Sequence, residues 1–253
     1  MILNTLAERV TSPDEILAML QDEHRHQCAY DPGADPDIDL KLESSIEDWR
    51  VACDLVDWRQ LAVALNTKWN VQIPLDEWRV VLLPAKTKRL RGVCELLSSN
   101  ARTKFVIPPH IFGRRCASAG IFYAIRELLE FDGAEVSQLT PSSMISEYSI
   151  VHSHVFELDV SKLAPGALPP IKIVNPDYER ATFAMTLAVL TFFGSLIISI
   201  WLHYLWVPFA FAFAIAILWM NHVAKHSKPT SVSFGELKTI RDMCDQLKKG
   251  LRT

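Results

Sequence analysis

The chain has 253 residues, of which 49% are hydrophobic and 22% are charged, and its formal net charge is −3. This length allows one large or two small domains, and the acidic balance excludes nucleic-acid binding through bulk electrostatics. Charge is unevenly distributed, since residues 1–180 carry 26 acidic and 19 basic side chains whereas residues 225–253 carry 3 and 7.

The first hundred residues are predicted to form an N-terminal helical domain, 1–100. The segment Ser12-Pro13-Asp14-Glu15 is typical of a helix start, with Ser12 as the cap and Pro13 in the first turn. Apolar residues recur at helical spacing further along the chain, which predicts helices at Leu55–Trp69 and Leu90–Leu97.

Residues 101–180 are predicted to hold a second helical unit and a proline-rich linker. The pattern of Ala117–Phe131 indicates a helix, because three apolar side chains share one face: Phe122, Ile125 and Leu129. The four prolines between Pro165 and Pro176 favour an extended chain after this helix.

A long charge-free run follows, since the chain has no Asp, Glu, Lys or Arg between Ala181 and Ala224. As one helix this run would measure about 66 Å, twice the thickness of the bilayer core, so it would have to fold back. The aromatic segment Trp201–Pro208 marks the break. The sequence thus predicts a two-helix transmembrane hairpin, 181–224, with helices at about 181–201 and 206–223.

Basic residues set the expected orientation of this hairpin. Arg180 and Lys225 flank its outer ends, whereas its tip has neither lysine nor arginine. The expected location is therefore the cell (inner) membrane, multi-pass, with the lipid bilayer as a partner and both termini cytoplasmic. Residues 225–253 would then form a basic cytoplasmic C-terminal helix, and the fold class is mainly α.

Two further features favour a cytosolic setting for the helical part. Residues Met1–Thr5 lack the basic and apolar regions of a secretory signal. The five cysteines are widely spaced and form no C-x-x-C pair, which is typical of reduced thiols.

A weak internal repeat connects the two halves of the chain. Arg89–Leu97 aligns with Thr239–Leu247, with three identical and three similar pairs, and Ser44–Trp49 aligns with Ser143–Tyr148 upstream. Two interpretations remain open. Either a module is duplicated, with the hairpin inserted late in its second copy, or two unrelated amphipathic helices share a pattern.

Residues 44–99 resemble part of an acyl carrier protein, a small four-helix bundle. Asp54-Leu55-Val56-Asp57 occupies the place of the family's carrier motif, and Val71-Gln72-Ile73-Pro74 fits its Ile-Pro step. Leu139–Ser143 and Leu237–Ile240 are similar to the first loop and the last helix start of the same family. The resemblance implies two degenerate acyl carrier protein-like bundles.

The resemblance also implies that the carrier chemistry is lost. The family attaches a phosphopantetheine arm to a serine, and the spacing back from Ile73 places Leu55 at that position. Ser149 and Ser153 of the predicted second helical segment, 101–180, lack the family's Asp-Ser-Leu context. The family would therefore contribute a shape for docking, without a cofactor.

Three short patterns could carry metal or redox chemistry. His24-x-His26-x-Cys28 has metal-capable side chains, and His152-x-His154 could add two ligands. Asp35-x-Asp37-x-Asp39 is similar to a calcium loop, although it lacks the central Gly and the closing Glu. The alternative for each is a set of solvated surface residues.

Two further clusters offer a nucleophile and a basic surface. Cys116 follows Arg114 and Arg115, and it could pair with His110 or His152 as a nucleophile. A basic group of residues could contact anionic lipid headgroups: Lys86, Lys88, Arg89 and Arg91, with Lys248, Lys249 and Arg252 of the tail.

No catalytic, cofactor-binding or metal residue is assigned from these patterns. The leading hypothesis is a membrane-anchored, non-enzymatic adaptor or docking protein that binds a protein partner at the cytoplasmic face. The alternatives are a membrane-associated enzyme or accessory subunit in acyl or lipid metabolism, and a metal- or redox-linked sensor.

Overall fold

The computed structural model describes residues 5–29, 31, 33–111, 113–199, 213–220, 222–223 and 231–251. This part of the chain is mainly helical, as predicted. It divides into two compact units. The first holds the residues up to Lys172 and from Ser233 onward, and the second holds Ile173–Val232. The second unit is therefore one continuous segment inserted into the first.

The first half of unit 1 is a helical bundle. Its helices are α1 (Pro13–Gln27), α2 (Ile46–Ala52), α3 (Trp58–Trp69), α4 (Leu75–Leu82) and α5 (Leu90–Asn100). Strands β1 (Leu6–Arg9) and β2 (Thr103–Val106) flank the bundle in the sequence and pair antiparallel, with Leu6 opposite Val106.

The helix starts follow the local capping chemistry. At α1 the backbone N–H of Glu15 donates to Ser12 Oγ at 3.3 Å, and the N–H of Ser12 donates to the Glu15 carboxylate at 2.9 Å. This reciprocal pair confirms the predicted start of α1. The helix predicted from Leu55 begins three residues later, at Trp58, because the Asp57 carboxylate accepts the N–H of Arg59 at 3.0 Å.

Asn66 joins α3 to α4 in the core of this bundle. Its side-chain amide donates to the carbonyl of Ile73 at 2.8 Å, and its Oδ1 accepts the indole N–H of Trp78 at 2.9 Å. Trp78 is completely buried. The predicted buried face of α3 is confirmed by Leu61, Leu65 and Trp69.

The second half of unit 1 is built from more widely separated segments. Its elements are the hairpin β3 (His110–Ile111) and β4 (Arg114–Arg115), α6 (Ala117–Phe131), α7 (Ser146–Ser149), a π-helical turn (Val155–Val160), α8 (Ser161–Leu163) and α11 (Ile240–Gly250). Helix α6 has the predicted bounds. Its buried face includes Ile125 and Leu129, whereas Phe122 is only half-buried.

The start of α5 is held to the loop before α2 by three backbone hydrogen bonds. The N–H of Ile46 donates to the carbonyl of Lys88 at 3.0 Å, and that of Leu90 donates to Ser44 at 2.9 Å. The N–H of Arg91 donates to the carbonyl of Leu42 at 2.9 Å. The start of α5 is thereby fixed against the start of α2.

The same three bonds occur in the second half, between the aligned residues. The N–H of Ile145 donates to Lys238 at 2.9 Å, and that of Ile240 donates to Ser143 at 3.0 Å. The N–H of Arg241 donates to Pro141 at 2.8 Å. The repeat in the sequence thus corresponds to a repeat in backbone geometry, which favours duplication over two unrelated helices.

Unit 2 contains α9 (Pro176–Ser199) and a helical stretch at 213–220, here α10. At its boundary, strands β5 (Ile171–Val174) and β6 (Ser231–Phe234) form a two-stranded sheet. The extended chain predicted for 165–176 thus contains a paired strand.

The transmembrane hairpin predicted for 181–224 is wrong. Within the ranges that the structure describes, no helix combines the length and the apolar character that a membrane span requires. The first turns of α9 contain charged residues, including Asp177 and Arg180, and the described stretch of α10 is shorter than the roughly 20 residues of a span. The predicted tip, Trp201–Pro208, lies outside the described residues.

The expected location depended on that hairpin and is corrected with it. Multi-pass insertion in the cell inner membrane, with both termini cytoplasmic, was inferred from the absence of charged residues and from the flanking lysines and arginines. A composition with few or no charged residues is typical of a membrane span. It is not sufficient, since the apolar residues must also form one helix of the right length.

Candidate docking groove

A groove of about 390 Å³ lies between α6 and α11 and is open to solvent. Most of its surface is apolar. It is lined by Ser118, Ala119, Phe122, Tyr123, Pro141, Arg241, Cys244 and Asp245. Its lining is more apolar than that of another recess of similar size beside His24 and Cys28, and it is therefore taken as the candidate binding site.

Helix α6 supplies the aromatic wall of the groove. Ile121 and Ile125 are fully buried and hold the other face of α6 in the core. A Cβ atom at Gly120 would lie 2.9 Å from the Val106 side chain and 3.1 Å from Cα of Pro108, so the glycine allows α6 to approach the end of β2 and the chain that follows it. The rings of Phe122 and Tyr123 meet edge to face, with centroids 5.5 Å apart, and stay half-buried at the groove.

Helix α11 supplies the floor and the charged rim. The hydroxyl of Thr239 and the carboxylate of Asp242 form a capping box that fixes the start of α11. Cys244 is buried on the floor, and burial raises the pKa of its thiol to about 12. Arg241 and Asp245 are exposed one turn apart at the rim. The floor is thus apolar and poorly nucleophilic.

The residues His24, His26 and Cys28 do not converge. Because they lie on a helix at a spacing of two, they alternate between opposite sides of α1. His24 Nε2 lies 2.9 Å from the carbonyl oxygen of Asp35, and His24 lines an open groove together with Cys28. His26 is completely buried, and its Nε2 lies 3.6 Å from the Asp22 carboxylate.

Asp22 and Arg25 serve a structural role beside His26. The guanidinium of Arg25 donates to the Asp22 carboxylate and to the carbonyl oxygen of Leu168 in the second half of unit 1. Burial opposes the ionisation of Asp22, but His26 and Arg25 outweigh it and lower the pKa of the carboxyl. This cluster therefore links the two halves.

His152 and His154 share one carboxylate. His152 Nδ1 lies 2.6 Å and His154 Nε2 lies 2.8 Å from the two oxygens of Asp132. The hydrogen bond from His152 is the main reason that the pKa of Asp132 is lowered, and the hydrogen bond from His154 lowers it further. Cys116 lies at the opposite end of α6, about 22 Å away along the helix, so it cannot pair with His152.

The remaining patterns are also dispersed. Asp35 Oδ1 accepts the N–H of Asp37 at 3.0 Å within its own loop, and Asp39 pairs with Lys41 at 3.1 Å. Among the described residues, no group of three or more His, Cys, Asp or Glu side chains converges to hold a metal ion. Arg91 of the basic cluster is engaged by Glu43. The tail residue Arg252 lies outside the described residues.

Sequence reasoning missed Lys162, the one lysine among the described residues whose pKa is clearly shifted. Its ammonium lies 4.9 Å from the centroid of the Trp69 ring, and burial lowers its pKa to about 8. The adjoining cavity measures only about 10 Å³, which leaves no room for a substrate. Lys162 therefore packs the second half of unit 1 against α3.

Cysteine labelling is expected to separate two classes of thiol. Burial raises the pKa of Cys53, Cys94 and Cys244 to about 12. Because the thiolate is the reactive species, an alkylating reagent at about pH 8 should modify the half-exposed Cys28 and Cys116 and spare the other three until denaturant is added. Peptide mass spectrometry measures the order. Native labelling of Cys244 as fast as Cys116 would contradict the buried floor of the groove.

Comparisons with protein-family models, curated proteins and solved structures gave no significant match for this chain.

Proposed function

We propose that this protein is a non-enzymatic adaptor that docks a protein partner in the groove between α6 and α11. The observation that supports this proposal is the pair of half-buried rings, Phe122 and Tyr123, along an open apolar recess. Aromatic side chains are enriched among the residues that dominate binding energy at protein interfaces. An open groove suits a macromolecular partner, because a small ligand usually needs a site that encloses most of its surface.

The first bundle supports a docking role in a second way. In the proposed relationship to acyl carrier proteins, Leu55 occupies the attachment position. Its side chain is half-buried, packs against the bundle core and lines an apolar cavity of about 110 Å³. Leucine has no hydroxyl to carry an arm, and this environment favours an apolar side chain over a polar one. We therefore propose a carrier-like bundle retained for its shape.

Photocrosslinking tests the docking site in the full chain. A benzophenone amino acid placed at Ser118, in the groove, should yield one defined protein adduct in cells that express the chain. The same amino acid at Thr67, exposed on α3, should not yield that adduct. Equal adducts from both positions, or none from Ser118, would contradict the site.

The identified partner then allows a matched test of affinity. Phe122→Ala should weaken binding of the purified partner about tenfold, because it removes an aromatic contact from the groove. Phe131→Ala is the control, since Phe131 lies on the same helix and is 87% exposed. Calorimetry measures both affinities and thermal unfolding checks the fold. Equal affinities would overturn the proposal, as would an intact mass that reveals a prosthetic arm.

A further inference from the structure

The two copies of the repeat have an arginine at the same position, Arg91 and Arg241, but the acidic residues around it differ. In the first copy, Arg91 Nε donates to Glu43 Oε1 at 3.0 Å. The carboxylates of Glu95 and Asp14 lie close enough to act on the same guanidinium, and all three acids raise the pKa of Arg91. Arg91 is therefore satisfied from within its own bundle.

In the second copy, Arg241 stands at the aligned position, and most of these acids are gone. Because Ser143 aligns with Ser44, the residue that replaces Glu43 is Ser142. Helix α6 packs against α11 as α1 packs against α5. The first turn of α1 contains Asp14, whereas the first turn of α6 has no acidic residue. Glu95 has an acidic counterpart in Asp245, and Asp242 replaces Gly92. The Asp242 carboxylate accepts the backbone N–H groups of Lys238 and Thr239 at the start of α11.

Arg241 consequently stands at the rim of the groove without an acid in contact with its guanidinium among the described residues, although it acts electrostatically on its neighbour Asp242. Its backbone is fixed, because its N–H donates to Pro141 at 2.8 Å. Within the part of the chain that the structure describes, its exposed guanidinium forms neither an ion pair nor a hydrogen bond, although it lies beside the apolar wall of Phe122. The site thus combines an apolar surface with a guanidinium whose hydrogen-bond donors have no partner among the described residues.

We infer that the docked partner segment is an amphipathic helix whose own Asp or Glu side chain takes the place of Glu43 beside Arg241. This inference rests on the proposed docking function and specifies the partner's chemistry. A groove between two helices accepts the apolar face of a third helix, read at positions i, i+3, i+4 and i+7. The bound carboxylate would receive charge-assisted hydrogen bonds from the guanidinium. A fatty carboxylate fits less well, because the open groove would leave much of its tail in water.

A display library of amphipathic helical peptides provides the probe. The library varies the polar position next to the apolar face among Glu, Asp, Gln and Lys, and it is selected against the full chain. We expect acidic residues to be enriched at that position. Peptides that lose affinity for the Phe122→Ala variant, and keep their affinity for the Phe131→Ala variant, are scored as groove binders.

Ser142→Glu is the decisive variant, because it restores the internal acid of the first copy. It should pair with Arg241 and weaken the selected acidic peptides about fivefold to tenfold, as should Arg241→Gln. Ser137→Glu adds the same charge at another exposed position and should leave their affinity unchanged. Peptides with Gln at the varied position should be insensitive to Ser142→Glu.

The outcomes separate the two proposals. If no groove-binding peptide is selected, the docking function itself fails. If groove binders show no acidic preference, or if Ser142→Glu and Ser137→Glu act alike, the docking function stands and the assignment of an acidic helix is overturned. Competition by oleate stronger than by the peptides would replace the helix with a lipid ligand and would also overturn the inference.

Discussion

Replacing Trp78 with alanine is expected to lower the free energy of unfolding by about 3–5 kcal/mol. Trp78 is completely buried in the first bundle, and its indole N–H donates to Asn66 Oδ1 at 2.9 Å. The substitution leaves a large cavity and removes a hydrogen bond that joins α3 to α4. Chemical denaturation followed by circular dichroism measures the change.

Two variants calibrate this result. Trp78→Phe keeps most of the volume and loses the N–H donor, so about 1–3 kcal/mol is expected. Val80→Ala lies on the same helix at a side chain that is 64% exposed, and it should change stability by no more than about 0.5 kcal/mol. A loss below about 1 kcal/mol for Trp78→Ala would show that the indole is not in the core.

Phe156→Ala is expected to have an effect of similar size in the second half, about 3–5 kcal/mol. Phe156 and Phe234 are both completely buried, and their ring centroids are 5.6 Å apart. The alanine variant loses the buried ring and its aromatic contact. Phe131→Ala, at an exposed position, is the matched control and should be close to neutral.

The pair Trp78→Ala and Phe156→Ala also tests whether unit 1 unfolds as one body. The two halves are joined by Arg25, which binds the carbonyl oxygen of Leu168, and by Lys162 over the Trp69 ring. Both variants should therefore shift the same cooperative transition. Separate transitions, each moved by only one variant, would show that the halves fold independently.

Local features of the fold could be predicted because their causes lie close together in the sequence. The start of α1 depends on Ser12 and Glu15, three residues apart, and the bounds of α6 follow from its apolar spacing and flanking residues. The aligned segments left duplication open as one of two interpretations, and the matched bonds of Leu90 and Ile240 favour it.

Features that depend on distant residues were missed or misread. Strand β1 was not predicted, because Leu6–Arg9 has no clear alternation and its partner lies almost a hundred residues away. The hairpin at 181–224 was predicted from the length of the charge-free run, its aromatic break and its flanking charges. The described helices do not meet the requirement for a span. A shared face was predicted for Phe122, Ile125 and Leu129, but only the last two are buried there.

The candidate site was likewise predictable only where its causes are local in the sequence. The loss of an acid beside Arg241 could have been suspected from the repeat. The alignment places Ser142 at the position of Glu43, which is the residue that pairs with Arg91. The alignment could not show that α6 and α11 leave an apolar groove beside Arg241. It also could not show that His152 and His154 meet at Asp132, across about 20 residues of chain.

The sequence by itself determined the helical class, the caps and the repeated register, because hydrogen bonds between near neighbours and the period of apolar residues are encoded locally. Only the tertiary structure decided which polar groups meet. It placed Cys116 and His152 at opposite ends of α6 and separated His24 from His26. It also left the Arg241 guanidinium beside two aromatic rings with no ion pair among the described residues. These outcomes depend on how distant segments pack, and no local pattern specifies that packing.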